Sequence, residues 1–172
     1  LFRSCGYATT DFDLWPETSK MILVLLMFIG ACAGSTGGGF KISRLLILCK
    51  AIPKQLSLVI HPREVKVIRM DGKPIDHNTL RSTNVYLAIY FFILLVSTLL
   101  ISVDNFNLTT NFTAVASTLN NIGPGLDGVG PTRNFGMYSD FSKFVLMFDM
   151  LAGRLELYPL LILFMPSLWR RK

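Results

Sequence analysis

Two glycine-bearing segments place backbone, rather than side chains, where the chemistry would be done. Asn120-Asn121-Ile122-Gly123-Pro124-Gly125 follows a moderately apolar stretch, Phe112 to Leu119, that is too short to cross a bilayer. A short helix that enters and a glycine-bearing loop that leaves form the outline of a pore loop. Non-helical backbone at membrane depth is tolerated only where protein or a water-filled cavity satisfies it. The loop is therefore expected to face an aqueous path, its carbonyls replacing the hydration shell of a cation. Glycine permits the backbone angles that turn successive carbonyls inward, and proline stiffens the exit. An ordinary external loop rich in turn formers is the competing reading.

The second segment is Gly34-Ser35-Thr36-Gly37-Gly38-Gly39-Phe40-Lys41. It nearly matches the phosphate-cradling pattern G-x-x-x-x-G-K-[ST], and the match fails in detail. The lysine comes one residue late, Ile42 stands where a metal-binding hydroxyl is needed, and a membrane-length apolar segment precedes it in place of a short strand. An unwound stretch inside a membrane helix, facing water or the pore and able to move, is the better physical account, and it makes Gly34 to Gly39 a gate candidate. Close helix packing through small residues is the alternative. Arg154 lies near the middle of another apolar block, where lipid exposure would cost at least about 2.5 to 3.5 kcal/mol. Its guanidinium must face something polar: the carbonyls of the Gly34 to Gly39 loop, which would put a positive charge in the pathway, or an acid on another helix. Glu156, two positions on, points to roughly the opposite side.

Side-chain catalysis has little support. His61 and His77 fall in a polar link with no nucleophile nearby, and Cys5, Cys32 and Cys49 are too scattered for a disulfide framework or a metal site. The cysteines read as reduced thiols. A formal net charge of +6 raises the question of nucleic acid, but the basic residues sit between and after apolar blocks rather than on one patterned face. No nucleic-acid partner is expected.

The elements that position these residues are membrane helices. Residues of hydrophobic type make up 51% of the 172-residue chain and its mean hydropathy is +0.48, high for a soluble fold. Three apolar blocks are long enough for about 30 Å of hydrocarbon. The first, Pro16 to Pro53, reads as one helix broken at Gly30 to Gly39, with Pro16 and Glu17 suited to its N-terminus. The second, Asn84 to Val103, carries no charge; the third, Phe141 to Trp169, carries Asp149, Arg154 and Glu156 and is interrupted by Pro159 and Pro166. Basic residues crowd the link between Phe40 and Ser82 and close the chain as Arg170-Arg171-Lys172, while Asp104 to Lys143 holds few. The positive-inside rule makes 54–80 and the C-terminus cytoplasmic. Within the link, Glu64 to Met70 alternates and Asp71-Gly72 is a turn pair, so a small β-hairpin is expected. Asn107-Leu-Thr and Asn111-Phe-Thr fit the glycosylation pattern, which is too common to carry weight. No signal peptide opens the chain, and the first residue is not Met, so an N-terminal portion is expected to be missing.

The N-terminus repeats the pore-loop arrangement. Arg3-Ser4-Cys5-Gly6-Tyr7-Ala8-Thr9-Thr10 precedes an Asp/Trp/Pro segment that starts a membrane helix. Two units of this kind indicate an internal repeat of helix, pore loop, helix with the first unit cut short. The fold class is thus an all-α integral membrane protein of pore-loop units with a broken transmembrane helix. Its divisions are 1–53 (end of one unit), 54–80 (cytoplasmic link) and 81–172 (a complete unit).

The segments GYATTDFDLWP, GACAGSTGGGFK, NNIGPG and MLAGRLELYPLLILFMPSLWRRK resemble the C-terminal part of the TrkH/TrkG family of potassium-uptake subunits, related to KtrB and the fungal Trk proteins. The resemblance covers essentially the whole chain. It implies four pore-loop units around one pore, of which this chain would hold the end of the third and all of the fourth. Ser4, Cys5, Gly6 and Tyr7 would then belong to one filter strand and Asn121, Ile122, Gly123 and Pro124 to another. The carbonyls of Cys5, Gly6, Ile122 and Gly123 would coordinate the transported K+. Gly34, Ser35, Thr36, Gly37, Gly38 and Gly39 would be the intramembrane gating loop, and Arg154 the pore-facing arginine that meets it. Further implications are a homodimer in the bacterial inner membrane, the absent N-terminal units as partners in the filter, a cytoplasmic TrkA-type nucleotide-binding subunit, and no bound organic cofactor. Channel-like conduction and ion-coupled symport both remain open. A secondary transporter using the unwound Gly34 to Gly39 stretch as its substrate site is the alternative function, and a nucleotide enzyme relying on Lys41 is a third.

Overall fold

A computed structural model of the chain describes residues 8–30, 38–61, 68–70 and 73–155. Helices dominate it: α1 (Glu17–Phe28), α2 (Ile42–Ile60), α3 (His77–Ile101), α4 (Leu108–Leu119) and α5 (Asp140–Leu155). Pro16 occupies the N-cap of α1, where its missing N–H is no loss, and Glu17 in the first turn pairs with Lys20 at 3.0 Å. The helix stops at Phe28 and resumes as α2 at Ile42, the break that the small residues predict.

Hydropathy underestimates the helices at their ends. α2 continues through Pro53 to Ile60 instead of ending at the proline. Pro53 removes one backbone donor without stopping a helix, and Leu56, Leu58, Val59 and Ile60 keep the sequence apolar beyond it. α3 begins at His77 rather than Asn84, so His77 opens a helix instead of lying in an irregular loop. Its first turns are polar but internally satisfied, since the hydroxyls of Ser82 and Thr83 donate to the Thr79 carbonyl. The pore helix α4 starts at Leu108, ahead of the expected Phe112, because Thr110 and Asn111 are buried within the fold rather than solvated.

α3 is long and apolar enough to cross a membrane. The stretch Asn78–Asp104 has a mean hydropathy of 2.4, and only 28% of its most apolar window is buried, so most of its apolar surface faces outward as a lipid-facing helix requires. α4 does the reverse. Thr110, Asn111 and every residue from Thr113 to Leu119 are buried, because α3 and α5 enclose it. Tyr86, Tyr90, Leu94 and Ile101 of α3, Ala114, Val115 and Leu119 of α4, and Val145, Leu146 and Ala152 of α5 form the core. Inside it Ser97 Oγ of α3 donates to Asp149 Oδ1 of α5 at 2.7 Å, and the Asp149 side chain is fully enclosed.

The expected hairpin is present in outline. β1 (Arg69–Met70) pairs antiparallel with β2 (Lys73–Pro74), in the register Arg69 to Pro74 and Met70 to Lys73, on either side of Asp71-Gly72. Lys50 Nζ ties α2 to it through the Arg69 carbonyl at 3.0 Å. Asn111, in one of the glycosylation-like triplets, is buried in α4 and accepts from Tyr138 Oη at 3.0 Å.

Candidate functional site

The pore helix ends in a Schellman motif. Asn120 caps it, Asn121 takes the left-handed conformation at φ 55°, and the N–H groups of Asn121 and Ile122 donate back to the carbonyls of Thr118 (3.0 Å) and Ser117 (2.9 Å). Asparagine is one of the few side chains suited to that left-handed position. The turn leaves Ile122, Gly123 and Pro124 outside any helix or strand. Gly123 has φ 116°, a region a side chain strongly disfavours. Among the described residues, no hydrogen bond ends on the carbonyl oxygens of Ile122, Gly123 or Pro124. The negative end of the α4 dipole lies immediately before them. Free carbonyls beside a helix C-terminus are what a cation binds.

The exit of this segment is stapled back onto α4. Leu126 N–H donates to Thr113 Oγ1 at 3.1 Å, and Gly125 N–H donates to the Val129 carbonyl at 2.7 Å. Farther out, Thr110 Oγ1 donates to Asp127 Oδ2 at 2.7 Å and the Asp127 N–H donates to Asp13 Oδ1 at 2.9 Å. That last bond joins the segment ahead of α1 to the segment beyond Gly123. Tyr138, whose hydroxyl serves Asn111, has its phenol pushed up to about 12, first by burial and second by the Asp104 carboxylate.

The broken helix closes on itself beneath the pore helix. Gly30 N–H donates to the Phe40 carbonyl at 2.9 Å, and Ile29 and Phe40 form a parallel bridge. A Cβ on Gly30 would lie 2.8 Å from the Gly38 oxygen, so the two strands of this neck touch backbone to backbone. Gly38 packs with equal intimacy on Asn120 and Asn121, where a Cβ would lie 2.8 Å from the Asn120 oxygen. Gly39 has φ 85° and fits against Asn120 Oδ1. That same oxygen accepts from Tyr90 Oη at 2.9 Å, while Asn120 Nδ2 donates to the Ala116 carbonyl at 2.7 Å. Phe28 and Phe40 flank Tyr90, each with ring centroids 6.5 Å away, and the Arg44 guanidinium stacks 3.9 Å over Tyr86.

α5 completes the arrangement. Asn121 Nδ2 donates to the Met150 carbonyl at 3.1 Å. Gly153 sits so close to the Leu119 carbonyl that any Cβ would collide with it. Arg154 follows, exposed, with no hydrogen bond or ion pair among the described residues.

Of the predicted site residues, Asn121, Ile122, Gly123, Pro124, Gly38 and Gly39 are described, and all six gather at the α4 C-terminus, with Arg154 one residue from the Gly153 contact. Ser4, Cys5, Gly6 and Tyr7, Gly34, Ser35, Thr36 and Gly37, and the segment from Glu156 to Lys172 lie outside the described residues. Sequence reasoning missed Tyr90 and Gly153, and it placed Asn120 in the loop without a role for its side chain. Gly153 carried a signal, as a small residue in a membrane helix.

A buried short helix, a glycine-bearing exit and a broken transmembrane helix define an integral membrane protein of the pore-loop class. The chain belongs to the TrkH family, whose model, described as a cation transport protein, matches residues 2–171. The Trk system potassium uptake protein TrkH of Vibrio parahaemolyticus is 38% identical over 167 residues, which is 97% of this chain and 34% of that relative. TrkH of Escherichia coli K12 is 36% identical over the same shares, and TrkG of that strain is 33% identical over 96% of this chain and 34% of its own length. The crystal structure of the potassium transporter TrkH from Vibrio parahaemolyticus matches with a TM-score of 0.86 at 38% identity, over 97% of this chain and 35% of that one. This chain therefore spans about a third of the length of the relatives it matches. The family is one of transporters rather than enzymes, which removes the nucleotide-enzyme reading of Lys41.

Proposed function

We propose that the chain contributes to a K+ uptake pathway, with Ile122 and Gly123 donating carbonyl ligands to the selectivity filter and Asn121 and Pro124 framing them. The observation that carries this reading is the Schellman turn that ends a buried helix and presents carbonyls bearing no hydrogen bond among the described residues. Cys5 and Gly6, between Ser4 and Tyr7, supply the equivalent ligands from the preceding unit, and further units complete the ring. Gly34 to Gly39 form the gate below, with Arg154 as its cationic partner. The seating of Gly38 and Gly39 on Asn120 supports a gate tied to the filter more than an independent substrate site in mid-membrane.

The chain divides accordingly into the end of one unit (1–53), a link (54–80) and a complete unit (81–172). The link and the C-terminus face the cytoplasm of a bacterial cell, and the protein resides in its inner membrane. The basic link and Arg170-Arg171-Lys172 suit a TrkA-type nucleotide-binding subunit, and the intact transporter is a homodimer, as the family resemblance implies. Growth at low K+ of a strain lacking its own uptake systems tests the filter. The full-length protein should rescue growth, and Gly123→Ser, which cannot hold φ 116° without strain, should admit Na+. A Gly123→Ser protein with unaltered K+ selectivity would remove Gly123 from the filter.

A further inference from the structure

Between α2 and the first turns of α3 runs a groove of ≈ 680 Å³ whose lining includes Leu48, Leu58, Ile68 and Leu87 together with Lys54 and Arg81. Its chemistry is graded along its length. α2 ends and α3 begins at the same link, so depth can be measured from that end at about 1.5 Å per residue. Arg81 lies about 6 Å in from the start of α3 and Lys54 about 9 Å in from the end of α2, whereas Leu87 and Leu48 lie about 15 to 18 Å in. Lys54 and Arg81 therefore stand nearer the link than Ile52, Val85, Leu87 and Leu48, which line the deeper part of the groove, while Leu58 and Leu80 lie at its link end. Among the described residues, neither Lys54 nor Arg81 has a hydrogen bond or an ion pair.

We propose that this groove binds one anionic phospholipid, its phosphate held by Lys54 and Arg81 and an acyl chain laid along Ile52, Leu87 and Leu48. Basic pockets between membrane helices select anionic headgroups, and the aliphatic wall needs an apolar ligand running parallel to the helices. A free phosphate would leave that wall bare, and an acidic peptide would leave its backbone unsatisfied against it. The side of the membrane follows from the topology proposed above, but lipid retention is read independently of K+ transport, so failure of one leaves the other standing.

Native mass spectrometry of the full-length protein, released from nanodiscs with equal phosphatidylglycerol and phosphatidylcholine, tests the site. Wild type should retain phosphatidylglycerol in preference. The pair Lys54→Gln and Arg81→Gln should lower retention about 25-fold, about fivefold per basic group, and Lys54→Arg should preserve it. Ile52→Trp should expel the lipid with both charges intact. Lys50→Gln removes a cation engaged outside the groove with the Arg69 carbonyl and should change nothing. Thermal midpoints within the wild-type range establish that each variant is folded, and a variant that fails is replaced by its conservative partner. Equal retention of the two lipids, an effect of Lys50→Gln as large as that of Lys54→Gln, or a photocrosslink from position 87 to polypeptide instead of lipid would each overturn the proposal.

Discussion

Tyr138 shows how much of the pore helix depends on single polar contacts. Its hydroxyl is the donor on Asn111 Oδ1 at 3.0 Å, inside a helix whose side chains have no water to turn to. Tyr138→Phe should lower stability by about 1 to 3 kcal/mol, the cost of leaving a buried acceptor unsatisfied. The phenol pKa is raised from 10.0 to about 12, so the fold favours the neutral form. That contribution is complete below pH 10 and is lost as pH rises toward 12. Unfolding midpoints of wild type and Tyr138→Phe, measured from pH 8 upward, should differ most at pH 8 and converge above pH 10. Parallel curves would show that the hydroxyl carries none of this stability. Asn120 holds a comparable place at the other end of α4, where its carboxamide is shared between Tyr90, Ala116 and the backbone of Gly39.

Among the elements, α4 and α5 make the tightest approach, and it depends on Gly153. A methyl group there would overlap the Leu119 carbonyl, so Gly153→Ala should force α5 outward, costing about 1 to 3 kcal/mol by overpacking and disturbing Asn121, whose Nδ2 bonds Met150. Loss of K+ uptake by the full-length variant, alongside a lowered thermal midpoint, is the expected result; wild-type uptake would show that the close approach is dispensable. This contact marks the boundary of what could be read in advance. The α1 start at Pro16, the break after Phe28, the apolar run of α3 and the sequence after Leu119 were legible, because each rests on local propensity or on hydropathy. Helix ends were not, since the hydrogen-bond ladder of α3 runs on into polar residues that satisfy one another. Tyr90 with Asn120, Ser97 with Asp149 and Gly153 with Leu119 were not either, being separated by 30 or more residues and created only by packing.

For the molecule as a whole, one carboxylate joins the segment ahead of α1 to the segment between α4 and α5. Asp13 Oδ1 receives the Asp127 N–H, and Gly130 is packed so closely on Asp13 that a side chain there would strike it. Asp13→Asn keeps an acceptor and should stay near wild type, whereas Asp13→Ala should lose about 1 kcal/mol; equal losses in the two would mean that charge, not the hydrogen bond, holds the two segments together. The neck at Gly30 and Phe40 acts at this scale too. Because the chain is already clasped at 2.9 Å where it leaves α1 and rejoins α2, the ends of the intervening stretch meet whatever its length. Doubling such a stretch adds only about 0.6 kcal/mol of closure entropy. Descendants of this sequence are thus free to gain or lose residues between Gly30 and Gly38 while the clasp that ties the end of α1 to the start of α2 stays fixed, so this stretch can diverge in evolution without the scaffold being rebuilt.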